Sequence, residues 1–282
     1  MGEVEVVVSE YAGFCWGVKR ALELTLQAAR EAPTPVNTLG PLIHNLGVIE
    51  QLKSRGVGVI ADPREATGGT IILRSHGVPK EVREHLAAAA LTVVDATCPF
   101  VAAAQEKVQA LQEAGYLVVI LGERDHPEVL GLRSYAGPDS LVVESAADVP
   151  EDFRATRVGV VVQTTQSQER LSELVAALAP RVRELLVHNT ICSATELRQR
   201  AAATLAANVD VVVVVGGKES GNTRRLAELC ATIQPRTYHV EKVSEVQQEW
   251  LRGARRVGIT AGASTPPEQV QAVKAHLREL DP

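Results

Sequence analysis

Residues 91–128, LTVVDATCPFVAAAQEKVQALQEAGYLVVILGERDHPE, hold the pattern from which the fold is read. A β-rich run leads to Cys98, and Pro99 suits the first position of a helix. Apolar residues at helical spacing continue to Gly115. An apolar run, Leu117 to Leu121, then ends in the polar stretch GERDHPE. Alternation of this kind implies parallel strands joined by right-handed crossovers. Ligands of such sheets gather beyond the carboxyl ends of the strands, where the polar stretch falls.

The same order occurs three times. EVEVVVSEYAGFC runs into Cys15 and ELLVHNTIC into Cys192, and helical patterns follow both, WGVKRALELTLQAAREA and SATELRQRAAATLAANV. Strands with polar loops come next, VNTLGPLIHN and VDVVVVVGGKESGNT. His44, His126 and Asn222 follow their cysteines by 29, 28 and 30 residues. Each unit adds a further strand ending in a second polar loop, IILRSHGVP, VGVVVQTTQSQ or RVGITAGASTPP, and then a short helical pattern. The third unit has no strand left after its last helix, and the N-terminal strand at residues 3–9 is expected to take that place. The expected fold is α/β, with three small lobes of parallel sheet in a pseudo-threefold arrangement about a central pocket. Residues 1–14 carry the strand completing the third lobe, and the lobes are 15–97, 98–191 and 192–282.

Composition narrows the function. With 45% hydrophobic and 22% charged residues in 282, the chain is an ordinary globular sequence. Its net charge of −5 argues against general nucleic-acid binding. The apolar run Val211–Val215 is far too short to span a bilayer. No export signal is recognisable, so the expected location is cytoplasmic, a reducing compartment in which clustered cysteines point to metal or redox chemistry.

Cys15, Cys98 and Cys192 each stand between a strand and a helix start, where backbone N–H groups and the helix dipole favour a thiolate. A lone cysteine is often a small buried hydrophobe, and Cys230, spaced with Leu226 and Leu229 on an apolar helical face, reads that way. Three at one point of a repeat read as a ligand tripod. Their separations of 83 and 94 residues match no local zinc-finger spacing. On chemistry alone the tripod suits zinc with one open site, as in a zinc-dependent hydrolase. It equally suits an iron–sulfur cluster with one iron lacking a protein ligand, in an enzyme or in a non-catalytic sensor.

The polar loops supply donors without a dense Lys/Arg cluster: His44, His76, His126, Thr164, Thr165, Ser220, Asn222 and Ser264. Glycines beside them, Gly221 among others, let backbone N–H groups approach phosphate oxygens. Such a ring suits a diphosphate, which takes many directed hydrogen bonds. Glu128 is the obvious acid of these loops able to relay a proton. GGKESGNT departs from the P-loop pattern, and the Gly-Val-Gly at 56–58 lacks the rest of a dinucleotide fingerprint.

GFCWGVKRA, GPLIHN, SHGV, DATCP, HPEVLG, QTTQS, ICSAT, GGKESGNTRRLAEL and TAGAST, in this order from about residue 11 to residue 270, together resemble the LytB (IspH) family of 4-hydroxy-3-methylbut-2-enyl diphosphate reductases. The resemblance implies three α/β lobes around a central 4Fe–4S cluster on Cys15, Cys98 and Cys192. It implies an allylic diphosphate substrate held by His44, His76, His126, Ser220, Asn222 and Ser264. Glu128 would deliver protons, and Thr164 would position the substrate hydroxyl and the relay. The reaction would take two electrons and two protons, lose water, and yield isopentenyl and dimethylallyl diphosphates. Ferredoxin or flavodoxin is the expected electron donor. Two positions depart from the family pattern. Gly221 stands where many members carry a second phosphate-binding serine, and Trp16 stands where a small residue is expected after the cysteine.

Overall fold

The computed structural model describes residues 4–280, so Glu3, the first residue of the expected N-terminal strand, lies outside them. In chain order the elements are β1 (Glu5–Val8), α1 (Trp16–Glu31), β2 (Val36–Leu39), α2 (Leu46–Ser54), β3 (Val57–Ile60), β4 (Thr70–Leu73), α3 (Lys80–Ala88), β5 (Thr92–Asp95) and α4 (Pro99–Glu113). They continue with β6 (Leu117–Leu121), α5 (Pro127–Tyr135), β7 (Leu141–Val143), β8 (Ala155–Val162), α6 (Gln168–Leu178), β9 (Val182–His188) and α7 (Ser193–Ala206). The last are β10 (Val211–Val215), α8 (Gly221–Ile233), β11 (Thr237–Val240), β12 (Arg256–Ala261) and α9 (Pro267–Glu279).

The strands form three parallel four-stranded sheets with one shared order: β3-β2-β4-β5, β7-β6-β8-β9 and β11-β10-β12-β1. The expected α/β lobes with parallel sheets are therefore present. β1 fills the fourth place of the third sheet, pairing parallel to β12 with Glu5 opposite Arg256. β9 stands in the same relation to β8, with Glu184 opposite Arg157. Both pairs carry an arginine–glutamate ion pair, Arg256–Glu5 at 2.8 Å and Arg157–Glu184 at 2.9 Å.

Each sheet also has an edge strand, β3, β7 or β11, that the sequence pattern had not resolved. These strands span only three or four residues, too few for a period of two to stand out. The Gly-Val-Gly that fails as a dinucleotide fingerprint supplies the turn at Gly56 and the first two residues of β3.

Central strands are buried on both faces, which is why they read as unbroken apolar runs. Val211, Val213 and Val215 of β10 face one core layer, with Val270, Val273 and Leu277 of α9. Val212 and Val214 face the opposite layer, with Ala202 and Leu205 of α7 and Leu226 of α8. Around β6, Val119 and Leu121 pack on Leu171 and Leu174 of α6, while Val118 and Ile120 pack on Val108 and Leu111 of α4. Helices thus cover both faces of these sheets and leave the loops at the strands' carboxyl ends to carry polar groups.

Two compact units partition the chain. One comprises residues 4–19, 43–50 and 193–280 and contains the sheet completed by β1; the other comprises 20–42 and 51–192 and contains the other two sheets. Among the described residues no helix is long and apolar enough to cross a membrane.

Candidate functional site

In the unit holding two sheets, Cys98 caps the start of α4, with Pro99 at the first helical position as expected. Its N–H donates to the Ser75 carbonyl at 2.9 Å, tying it to the loop that carries His76. Thr97, just before it, is fixed from two sides. Its N–H donates to Asp95 Oδ1 at 2.9 Å, and its carbonyl accepts from Arg20 Nη1 at 3.1 Å. Asp95 also takes an ion pair from Arg83 at 2.8 Å. Partial burial works to raise the Asp95 carboxyl, but the hydrogen bonds from Thr97 and Arg83 outweigh it and hold the group below its ordinary 3.8.

His76 follows β4 in a tight turn. Gly77 at φ +72° lets its N–H return to the Arg74 carbonyl at 3.0 Å. The Arg74 guanidinium donates back to the Gly77 carbonyl at 3.3 Å and is so close to Gly40 that a Cβ there would sit 2.6 Å from Nη1. Burial lowers the Arg74 pKa below its usual value. A cation therefore lies beside the His76 turn, in loops whose sequence had suggested neutral donors above all.

The His76 and His126 rings meet edge to face, with centroids 5.3 Å apart. His126 caps α5, and its Nδ1 accepts the Glu128 N–H at 3.1 Å. An accepting Nδ1 carries no proton, so the ring's proton sits on Nε2, and that nitrogen is the donor. Glu128 is 1% exposed. Thr164, at the end of β8, donates its N–H to Glu128 Oε1 at 2.6 Å and its hydroxyl to Oε2 at 2.9 Å. The Thr164 carbonyl in turn accepts the Cys192 N–H at 3.0 Å, so Cys192, Thr164 and Glu128 form one connected chain. Thr165 is half-buried beside it.

In the other unit, the Cys15 N–H donates to the Ala263 carbonyl at 3.1 Å, within the loop that also carries Ser264. Its Sγ accepts the Val18 N–H at 3.5 Å, so the sulfur itself caps the first turn of α1. Trp16 is 59% exposed, hence it does not pack into the core. Ser220 caps α8, with Oγ accepting the Thr223 N–H at 3.4 Å, and Gly221 is the first residue of that helix. Asn222 is buried, and its Nδ2 has no hydrogen-bond partner among the described residues.

His44 belongs to this unit, although β2 before it belongs to the other. Ser264 Oγ donates to the His44 carbonyl at 3.2 Å, and the Asn45 amide donates to Gln269 at 3.3 Å. Gly217 lies so close that a Cβ would sit 2.9 Å from the same carbonyl. The unit thus gathers His44, Ser220, Gly221, Asn222 and Ser264, while the other gathers His76, His126, Glu128, Thr164 and Thr165.

None of the four cysteines is in a disulfide. Cys15, Cys98 and Cys192 are half-buried at helix starts, whereas Cys230 is fully buried and its thiol is pushed up to about 12 by burial. Soft sulfur donors of the first kind fit a metal or an iron–sulfur group; Cys230 fits a core. Two supporting residues escaped the sequence reading. Asp95 announces itself only as the start of an Asx turn, D-A-T. Arg198 is a charge on the otherwise small or apolar buried stripe of α7, Thr195, Ala202 and Leu205.

A family model described as LytB protein matches residues 6–278. The 4-hydroxy-3-methylbut-2-enyl diphosphate reductase of Aquifex aeolicus (strain VF5) is 46% identical over 280 residues, covering 98% of this chain and 97% of that one. The protein of the same name from Citrifermentans bemidjiense is 48% identical over 279 residues, covering 99% and 98%. A solved (E)-4-hydroxy-3-methyl-but-2-enyl diphosphate reductase, the terminal enzyme of the non-mevalonate pathway, superposes with a TM-score of 0.72 at 46% identity, covering 98% and 99%. The E-1-hydroxy-2-methyl-but-2-enyl-4-diphosphate reductase from Plasmodium falciparum superposes with a TM-score of 0.90 at 26% identity, covering 97% and 88%.

Proposed function

Because the chain belongs to the LytB family, we propose that it is a 4-hydroxy-3-methylbut-2-enyl diphosphate reductase, the terminal enzyme of the non-mevalonate pathway. It removes the substrate hydroxyl as water, consuming two electrons and two protons, and yields isopentenyl and dimethylallyl diphosphates. The observation that carries this reading at residue level is the buried Glu128 carboxylate, held by Thr164, whose own carbonyl accepts the Cys192 N–H.

In this reading Cys15, Cys98 and Cys192 hold a 4Fe–4S cluster, and three thiolates on four irons leave one iron without a protein ligand. The donor chemistry supports it: three half-buried thiols, one at the same point of each repeat, each at a helix start. Bound there, the cluster would supply the electrons, one at a time. The lobe boundaries 15–97, 98–191 and 192–282, with residues 1–14 added to the third, belong to the same reading and are supported by the shared strand order.

The protein's own groups do the rest. The start of α8, with Ser220 and the Gly221 and Asn222 N–H groups, offers directed donors to an anion. The unpartnered Asn222 amide suits a phosphate oxygen. His44, His76, His126, Thr165 and Ser264 complete the diphosphate site, His126 donating from Nε2. The Gly221 backbone replaces the second serine of many relatives. Glu128, shielded from water, keeps a proton available without exchange with bulk solvent, and Thr164 fixes its carboxyl orientation. Proton delivery to either end of the three-carbon allylic unit explains two products. A ferredoxin or flavodoxin donates the electrons, and the enzyme works in the cytoplasm.

The test is iron and sulfide content with visible absorption, on protein prepared without oxygen, before and after addition of the substrate. About four irons and four sulfides per chain are expected, with a spectrum that changes on substrate addition. Stoichiometric zinc without sulfide, or a colourless protein after reconstitution, overturns the reading.

A further inference from the structure

Arg198 lies in the second turn of α7, the helix that follows Cys192, and is 3% exposed. Its guanidinium forks between two segments. Nη2 donates to the Gly13 carbonyl at 2.7 Å, and Nη1 to the Ala194 carbonyl at 3.2 Å. Gly13 sits at φ +101°, a left-handed conformation that favours glycine and turns the chain two residues before Cys15. One buried cation therefore joins the residues just before the Cys15 thiol to those just after the Cys192 thiol. Consecutive Cα atoms are about 3.8 Å apart, so the guanidinium lies at most about 13 Å from the Cys15 Cα. A charge enclosed in protein acts over that distance far more strongly than one in water.

We propose that Arg198 is a positioning residue for the Cys15 ligand segment and that its buried charge raises the reduction potential of the bound cluster. The inference rests on the cluster assignment above. On reduction a cluster gains negative charge, and a fixed neighbouring cation favours the reduced form. Hydrogen bonding and local charge are the levers by which a protein sets such potentials. Lysine at this place keeps the charge but lacks the planar fork, whereas methionine keeps the bulk and loses both.

The experiment compares wild type, Arg198→Met and Arg198→Lys, each reconstituted anaerobically and matched for iron content. Midpoint potential is read by spectroelectrochemistry, and the rate of iron loss is read in excess chelator. The Met variant is expected to show a more negative midpoint potential and iron loss about tenfold faster or more. The Lys variant is expected to keep the wild-type potential while losing iron as fast as the Met variant. A Met variant at full iron content with the wild-type potential overturns the proposal. So does a Lys variant shifted as far as the Met variant, since the charge would then be irrelevant. Should the Met variant take up no iron, Arg198→Gln, which keeps a donor but no charge, carries the same comparison. A wild type that takes up no iron and sulfide fails earlier, and that failure belongs to the reductase reading itself.

Discussion

Thr164 donates to both oxygens of the Glu128 carboxylate, through its backbone N–H at 2.6 Å and its hydroxyl at 2.9 Å. A buried acid so held has one orientation, and that orientation is tied through the Thr164 carbonyl to the Cys192 N–H. In the proposed function, the proton-delivering acid and a cluster ligand are thus linked by hydrogen bonds through one residue, Thr164.

Replacing Glu128 by Gln preserves shape and removes the titratable group. Turnover should fall by about 10²-fold or more, while the visible absorption of the cluster stays at wild-type intensity. Steady-state assay and spectrum on one preparation check this, and wild-type turnover would remove Glu128 from the mechanism.

Thr164→Val leaves Glu128 Oε2 without the hydroxyl that now donates to it. The cost is about 1–3 kcal/mol of stability, measured by chemical denaturation, and Thr164→Ser should recover most of it. Equal losses in the Val and Ser variants would show that the threonine methyl, not the hydroxyl, matters.

Gly159 of β8 and Gly258 of β12 hold equivalent places in their sheets. A Cβ on Gly159 would sit 2.6 Å from the nearest Leu111 methyl, and one on Gly258 2.8 Å from Leu205 Cγ. Alanine at either place should destabilise the protein by about 1–3 kcal/mol through overpacking. Gly159→Ala should be partly rescued by Leu111→Ala, a coupling that a double-mutant cycle reads directly.

The Asp95 carboxyl is depressed in the folded chain, so its contribution is complete above the unfolded carboxylate value. It is lost as pH falls through the folded value, which lies below 3.8. The stability difference between wild type and Asp95→Asn should therefore be constant from neutral pH down to about pH 5 and shrink below about pH 4. Because Asp95 is half-exposed, the difference is small. A gap that widens on acidification would contradict the assignment.

With its thiol pushed up to about 12, Cys230 is almost wholly protonated at neutral pH. In native, cluster-free protein, iodoacetamide should label Cys15, Cys98 and Cys192 and spare Cys230 until denaturant is added. Peptide mass spectrometry separates the four, and labelling of Cys230 at the rate of the others would be the contrary result.

Most of the frame was legible from the chain because buried parallel strands announce themselves as apolar runs. Val211–Val215 and Leu117–Leu121 could be placed on pattern alone, and the cysteine at each strand-to-helix junction marked the repeat. The edge strands β3, β7 and β11 were not legible, since three or four half-polar residues carry too little periodicity. Nor was the seat of His44. Its carbonyl is held by Ser264, 220 residues along the chain, and no local pattern encodes a contact of that range. Glu128 was found through HPE, but the double grip of Thr164 depends on where β8 ends relative to α5, which is a tertiary fact. Arg198 was hidden in plain view, as a charge on a buried helical stripe.

The strand β1 has a consequence for how the molecule is made. Of the described strands it is the first to be synthesised, and it pairs with β12, the last of them, through a register that joins Glu5 to Arg256. At a synthesis rate of about 5–20 residues per second, β1 waits on the order of ten seconds or more before its partner exists. During that wait the two sheets of the other unit can be complete, while the third has neither its last inner strand nor its far edge. Synthesis of β12 and the loop after it, not of the first cysteine loop, therefore sets the moment at which Cys15 gains the Ala263 carbonyl that accepts its N–H. In the reductase reading, delivery of iron and sulfur to Cys15 comes after that moment.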